Sequence, residues 1–284
     1  MFILITNYGL CNKLRAIASA LYYAEHFNRK LLVVWRKNNN CNIGFNDIYK
    51  KHPKIKILSD LPDEFKNLPI SNSATGNQFD LTQKVAVLTT CSEIRYDSPP
   101  LTSIAMHDVL KTFVLKEPIK KTIDTFYNNN FRNNHVIGMH IRKTDNIAEA
   151  PLYLFIKQIK KNLKKYKDVK FFVATDSDDV LHKLIKKFPS RIIHLPKKYP
   201  NTNEKGEVSS IRSIKEGMIE SVYDLYLLNR TNMIYGSYFS SFSELGSYIF
   251  KKIDHFVKLG GLDWEEKKHR EKSFWEEKKR KEKM

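Results

Sequence analysis

Short apolar runs alternate with longer amphipathic stretches along most of this chain. Phe2-Ile-Leu-Ile-Thr6 is a strand-length apolar run. From Cys11 to His26, Leu14, Ile17, Ala18, Leu21 and Ala24 recur at intervals of mostly three and four residues, which marks one buried helix face. Lys30 to Trp35, after Asn28, reads as a second strand, so the chain opens β-loop-α-β and predicts parallel strands joined by a crossover helix. Between Lys37 and Pro100 the pattern is irregular. Only Ile55 to Leu58 and Val85 to Leu88 stand out as strands there, and their order in a sheet is not legible.

A helical pattern runs from Met106 to about Asn128, and Tyr127-Asn-Asn-Asn-Phe-Arg-Asn-Asn134, with five asparagines, reads as a linker. A second alternation follows, with strands predicted at 135–141, 169–174, 191–194 and 232–235. Helices are predicted at about 151–166, 177–187, 210–229 and 242–256. The chain therefore divides into α/β halves at 1–128 and 135–258, with a charged tail at 259–284, and two such halves imply a cleft between them. Within the tail, Trp264-Glu-Glu-Lys-Lys-His-Arg-Glu-Lys272 is echoed by Trp275-Glu-Glu-Lys-Lys-Arg-Lys-Glu-Lys283. A spacing near three helical turns puts both tryptophans on one side of a charged helix. A solvated helix pinned by Trp264 is expected, with contact to a membrane surface or a partner as the alternative.

With 42% hydrophobic residues in 284, the chain can bury a substantial core. The net charge of +18 raises nucleic acid, anionic membranes and phosphate-bearing small substrates as partners. Asp263 to Met284 carries nine Lys or Arg against seven Asp or Glu, a net of +2, so the remaining +16 belongs to residues 1–262. The lysines at 157–167 and 183–187 read as solvated helix faces. No RNA- or DNA-reading motif is recognisable, and no specific nucleic-acid partner is expected. Cys11, Cys41 and Cys91 are odd in number and lack metal-ligand spacing, which suggests free thiols in a reducing compartment. Met1 to Thr6 is too short for a signal-peptide core and no stretch approaches 18 apolar residues, so a soluble, cytoplasmic protein is expected.

Four segments carry candidate chemistry. Val136-Ile-Gly-Met-His-Ile-Arg-Lys-Thr-Asp145 drives an apolar strand into His140, Arg142, Lys143 and Asp145, and the carboxyl ends of strands are where open α/β sheets bind ligands. A basic cluster there is placed to meet an anion. Between the first strand and helix, Gly9 permits a tight turn, followed by Asn12 and Arg15, and the helix amino end offers N–H groups to an anion. Phe171 to Asp179 is an apolar strand that ends in Asp176 and Asp178, where a helix cap with first-turn acids is an equally good reading. The fourth segment spans Asp224 to Glu244 and contains Ser240 and Ser241; a capping box from Ser241 to Glu244 is an equally simple explanation, and both roles can coexist.

Taken in order, these segments resemble the fucosyltransferase superfamily that includes α-1,6-fucosyltransferases, bacterial nodulation fucosyltransferases and protein O-fucosyltransferases. The resemblance spans most of residues 1–258. Gly-Leu-Cys-Asn-Lys-Leu-Arg-Ala16 is similar to the family's G-L-G-N-R-L-R-A, and His-Ile-Arg-Lys-Thr-Asp145 to its H-V-R-R-T-D. The Ala174-Thr-Asp176 strand end and the Phe239-Ser-Ser-Phe-Ser243 turn also recur there.

The resemblance implies a GT-B architecture, two Rossmann-like domains facing a cleft. It implies a GDP-fucose donor held mainly by the second domain, and inverting transfer to a hydroxyl of a glycan or protein without a required metal or other cofactor. Arg142 would pair the β-phosphate as negative charge develops, since a planar guanidinium bonds two oxygens at once. Lys143 stands where the family often has a second arginine. Asp224 would bind the guanine or ribose region, Asp176 and Asp178 the nucleoside, and Ser240 and Ser241 the diphosphate. Gly9, Asn12, Arg15, His140 and Asp145 complete the donor-binding set. Glu149 would be the general base, matched after one deletion, with Asn146 where the α-1,6 branch has a lysine. Cys11 replaces a glycine of the first motif. Asp176-Ser-Asp178 also reads as D-x-D, the metal-diphosphate signature of the other large glycosyltransferase fold. A basic nucleic-acid-binding protein stays open as an alternative. So does a sulfotransferase, whose phosphate loop Gly9 to Arg15 fits only loosely.

Overall fold

A computed structural model describes residues 1–72, 78–143, 150–197, 213–238, 240–249 and 255–260. Its first half is built on a five-stranded sheet of β1 (Phe2–Thr6), β2 (Leu31–Trp35), β3 (Ile55–Leu58), β4 (Ile70–Asn72) and β5 (Ala86–Thr90), in the order β3-β2-β1-β5-β4. Every pairing is parallel. β1 and β2 are buried at all positions, as continuous apolar runs require when a parallel sheet is covered on both faces. Helix α1 (Leu10–His26) returns the chain from β1 to β2 and lays the predicted apolar stripe on the sheet. A short α2 (Phe45–Ile48) follows β2.

The single helix predicted over residues 106 to 128 is two, α3 (Ser103–Lys111) and α4 (Glu117–Asn130). Pro118 is the reason: it lacks an N–H and is tolerated only in a helix's first turn, where α4 places it. Thr102 caps α3 by accepting from the Ala105 N–H at 3.1 Å. The first half of the asparagine-rich segment is the last turn of α4. Beyond it Phe131 is buried, with its ring 5.3 Å from that of Phe172. Asn130 and Asn134 each donate to a backbone carbonyl four residues earlier, at 2.9 Å, so these amides stabilise a helix end.

A second five-stranded parallel sheet comprises β6 (Val136–Ile141), β7 (Lys170–Thr175), β8 (Ile192–Ile193), β9 (Met233–Ser237) and β10 (Phe256–Leu259), ordered β10-β9-β6-β7-β8. Helices α5 (Leu152–Lys165), α6 (Asp178–Lys187), α7 (Lys215–Asn229) and α8 (Ser241–Ile249) connect them. The last helix stops at Ile249 rather than near 256, and Phe256–Leu259 forms an unpredicted edge strand. In both sheets the strand order reverses about the first strand of the half, β1 or β6, and ligand crevices form at such reversals, beyond the carboxyl ends of the strands.

One core cluster joins the halves: Leu14 and Ile17 of α1 and Leu110 of α3 belong with Leu225 of α7 and Leu245 of α8. A second cluster lies between the other face of the second sheet and α5 and α6. The third includes Ile3, Ile5, Leu32 and Val34 on the outer face of the first sheet. The predicted tail helix lies outside the described residues. Among those described, no helix is long and apolar enough to cross a membrane.

Candidate functional site

A cavity of about 300 Å³ opens where the carboxyl ends of β1, β6 and β7 face one another. Its first wall is the β1–α1 turn. Tyr8 takes the left-handed conformation there, with φ 66°, while Gly9 is extended at φ −78° and ψ 167° and starts α1. The sharp turn predicted at Gly9 is therefore made by Tyr8. A Cβ on Gly9 would meet only the Asn40 carbonyl, at 3.7 Å, so space does not force a glycine either. Gly9 to Asn12 border the cavity. Helix geometry leaves the first N–H groups of α1 without intrahelical acceptors, which favours an anion at this end. Cys11, in place of the family glycine, also borders the cavity and is 5% exposed.

The second half builds the opposite wall. β6 delivers His140 and Arg142, and the strand end is stitched to β9: the Arg142 N–H donates to Ser237 Oγ at 3.0 Å, and Ser237 Oγ donates to the His140 carbonyl at 3.1 Å. The His140 ring stacks on Phe242 of α8, with centroids 4.8 Å apart and planes 24° apart. Asp176, at the end of β7, accepts from the Lys143 N–H at 2.8 Å, so it fixes the loop after β6 while bordering the cavity. Helix α7 presents Gly217, Glu220, Ser221 and Asp224 at helical spacing on one lining face, and α8 begins at the rim with Ser241.

Asp224 is the buried acid of the site. It is 4% exposed, and its Oδ2 is ion-paired with Lys197 Nζ. Burial pushes its carboxyl above the ordinary aspartate range, against the opposing pull of Lys197. Its Oδ1, also buried, accepts no hydrogen bond among the described residues. A buried acceptor without a donor costs free energy unless a ligand supplies one.

Of the residues chosen from sequence, the cavity gathers Gly9, Asn12, His140, Arg142, Asp176, Asp224 and Ser241. Four others lie off its lining. Arg15 sits one turn inside α1, between Glu93 at 3.2 Å and Glu244 of α8 at 3.0 Å, and so bridges the two halves. Glu244, expected in a capping box, spends its carboxylate on Arg15 and on Lys258 at 3.3 Å. Lys143 contributes its backbone to the Asp176 contact. Ser240 is buried beneath the rim at 4% exposure. Asp178 lies half exposed in the first turn of α6, 3.2 Å from His182, while Ser177 caps that helix by accepting from the Val180 N–H. The capping explanation thus accounts for Asp178, and the D-x-D pair is split between cavity and surface. Among the described residues, no three His, Cys, Asp or Glu side chains gather as a metal site would require. Asp145, Asn146 and Glu149 lie outside the described residues.

Sequence reasoning missed Lys197, Glu220, Ser221 and Tyr8. Counting back from Asp224 by helical steps finds Ser221, Glu220 and Gly217. Nothing in the local sequence distinguishes Lys197 from the chain's other lysines.

The assembled cavity joins guanidinium, ammonium and helix amino ends to a buried carboxylate acceptor, a pattern suited to a polyanion bearing a hydrogen-bond-donating base. The model of the family described as Nodulation protein Z (NodZ) matches residues 101–259, more than half of the chain. No curated protein matches it by sequence. Among solved structures, fucosyltransferase NodZ from Bradyrhizobium is 21% identical with a TM-score of 0.61, covering 86% of this chain and 92% of that one. A NodZ α-1,6-fucosyltransferase soaked with GDP-fucose is 20% identical at TM-score 0.61, covering 87% and 92%. POFUT1 in its apo form is 14% identical at TM-score 0.54, covering 92% and 98%.

Proposed function

Since the chain belongs to the nodulation protein Z family, we propose that it is a glycosyltransferase that moves fucose from GDP-fucose to a hydroxyl of a glycan or protein, with inversion. The observation that carries this reading is the placement of Arg142 and the Asp224–Lys197 pair in one cavity opposite the amino end of α1. The guanine edge offers an N–H and an exocyclic amine side by side, and the open Oδ1 of Asp224 is an acceptor for them. Arg142, Lys197 and the amino ends of α1 and α8 answer the diphosphate charge. As the anomeric carbon–oxygen bond to the β-phosphate breaks, the acceptor oxygen bonds to that carbon and its proton passes to a base. Arg142 stabilises the charge that appears on the departing GDP.

Glu149 is the base proposed on family resemblance, and Asp145 joins the donor contacts on the same ground. Residues 1–128 serve the acceptor side and 135–258 the donor side. The reaction is placed in the cytoplasm, a reading supported by three free cysteines. Family membership favours glycosyl transfer over the nucleic-acid-binding and sulfotransferase readings.

Thermal-shift titration against GDP, UDP and CMP tests the donor assignment. GDP at a hundred times its Kd should stabilise the protein by about 2.7 kcal/mol. Stabilisation by UDP or CMP with no response to GDP would overturn it.

A further inference from the structure

The two lysine runs that the sequence presents as separate solvated faces are brought together by the fold. Helix α5 crosses from β6 to β7 and α6 from β7 to β8, and both contribute to one apolar cluster, so they cover the same face of the second sheet. A crossover helix runs back against the direction of the parallel strands it joins. The carboxyl ends of α5 and α6 therefore lie together at the amino edge of β7 and β8, about 20 Å, one strand length, from the donor cavity at the carboxyl edge. We propose that this edge, on which Lys164, Lys165, Lys167, Lys186 and Lys187 are exposed, is a docking surface for an anionic lipid membrane. The proposal is independent of the donor reading, because the cavity lies at the opposite end of the sheet.

Charge is concentrated here. Residues 157–191 carry eleven Lys or Arg against four Asp, a net of +7, so about an eighth of the chain holds more than a third of its +18. Helix α5 contains five lysines and no acid. Lys157, Lys160, Lys161, Lys164 and Lys165 stand three and four residues apart, the spacing at which like charges on a helix repel. Other helices use the same spacing to pair charges: Lys120 meets Asp124 at 2.7 Å, and Lys183 meets Asp179 at 2.6 Å. No α5 lysine has a carboxylate partner among the described residues. Lysines in a last turn complement the helix dipole, but that effect fades within one turn and does not reach Lys157 or Lys160. A negative surface relieves the repulsion that the helix itself leaves standing.

The kind of cation selects the partner. Ten of the eleven are lysines, compact and strongly hydrated charges on flexible stems, without the planar fork that reads a phosphate in fixed geometry. A membrane asks for no such geometry: its headgroup charges are dense and mobile, and each lysine near the surface adds its own increment to binding. Single-stranded nucleic acid is held by aromatic platforms as well as charge. The ring beside these lysines, Tyr166, is already engaged, with its centroid 4.4 Å from the His135 ring and the Lys165 ammonium 4.9 Å above it. Ile185, 37% exposed beside Lys186, supplies an apolar side chain that can enter the headgroup layer.

The test floats the full-length protein with neutral phosphatidylcholine vesicles and with vesicles in which about a third of the lipid is phosphatidylserine. Anionic vesicles should bind it at low ionic strength and neutral ones should not, and binding should weaken as salt screens the charges. Each lysine near the surface is worth about fivefold in affinity, so Lys164→Gln with Lys165→Gln should weaken binding about 25-fold, and Lys186→Gln with Lys187→Gln by as much. Lys50→Gln with Lys51→Gln removes the same charge from exposed positions of the first half and should change binding by no more than about twofold. Circular dichroism should show all three variants folded. Equal binding to neutral vesicles, no vesicle binding at low salt, or an equal loss in the control pair would overturn the proposal. So would loss of binding on Trp264→Ala with Trp275→Ala while both helix pairs have no effect, which would move the contact to the tail. Single-stranded RNA bound with the same lysine dependence, while vesicles are not, would give the edge to nucleic acid instead.

Discussion

Arg142 owes its position to its backbone. With its N–H held by Ser237 and its strand paired on both sides, the guanidinium reaches the cavity from a fixed base. Arg142→Ala should lower kcat at saturating donor by about 10²- to 10³-fold, roughly 2.7–4 kcal/mol, as for loss of one oxyanion donor. Arg142→Lys should fall between, keeping charge but losing the planar fork. An unchanged kcat in the alanine variant would remove Arg142 from the mechanism. Asp224 supports a prediction of a different kind. Its folded carboxyl is raised by burial, so the native state holds its proton more tightly than the unfolded chain. Its contribution to stability therefore falls as pH rises from the unfolded value through the folded one. Lys197 opposes that loss. Lys197→Ala should cost about 3–5 kcal/mol at neutral pH, where it strands a buried carboxylate, and much less in mild acid, where Asp224 takes up its proton. Urea unfolding at the two pH values checks this, and an equal loss at both would contradict it. Arg142, His140 and Asp176 were legible in the sequence because an apolar run that ends in polar residues marks a strand's carboxyl end. Arg15 and Lys197 were not, since their roles depend on partners 229 and 27 residues away.

Helices and strands were legible wherever one period dominated. β1, β2, β6 and β7 are predominantly apolar runs because parallel strands covered on both faces bury nearly every side chain. β10 escaped notice: Phe256-Val-Lys-Leu259 is too short to separate period 2 from a helix end, and only pairing with β9 makes it a strand. That pairing depends on a glycine. A Cβ on Gly236 of β9 would lie 2.3 Å from Ser243 Oγ and 2.7 Å from Phe256 Cε2, so α8 and the Phe256 ring both press against bare backbone. Because α8 begins with Ser241 and Phe242 at the cavity rim, the contact sets the site as well as the core. Gly236→Ala should destabilise the protein by about 1–3 kcal/mol through overpacking and weaken GDP binding. Adding Ser243→Gly should recover part of the stability, the Phe256 clash remaining. Unfolding curves for the three proteins decide this. A fully stable single variant would mean that α8 does not need this close approach.

The two sheets suggest separable domains, but the packing between the halves argues for one cooperative unit. Inter-domain contacts that merely hinge are small and polar. Here a single apolar cluster includes α1 and α3 of the first half and α7 and α8 of the second. Around it, Arg15 joins Glu93 to Glu244, Lys215 meets Asp47 at 3.1 Å, Asn42 donates to the Ser213 carbonyl at 2.8 Å, and the Tyr49 and Tyr226 hydroxyls lie 3.3 Å apart in the interior. Separating the halves would expose Leu225 and Leu245 on one side and Leu14 and Ile17 on the other, each 0% exposed in the folded molecule. A half unfolding alone would lose its own core and uncover its partner's, so the intermediate is costly at both ends. Calorimetry should therefore record one transition, with calorimetric and van't Hoff enthalpies equal, and Leu245→Ala should shift that whole transition down by about 2–5 kcal/mol of stability. Two resolved transitions, with only the second sensitive to Leu245, would mean that the halves fold independently and that the shared cluster is an interface. The donor cavity, whose walls come one from each half, would then open and close with every fluctuation of that interface.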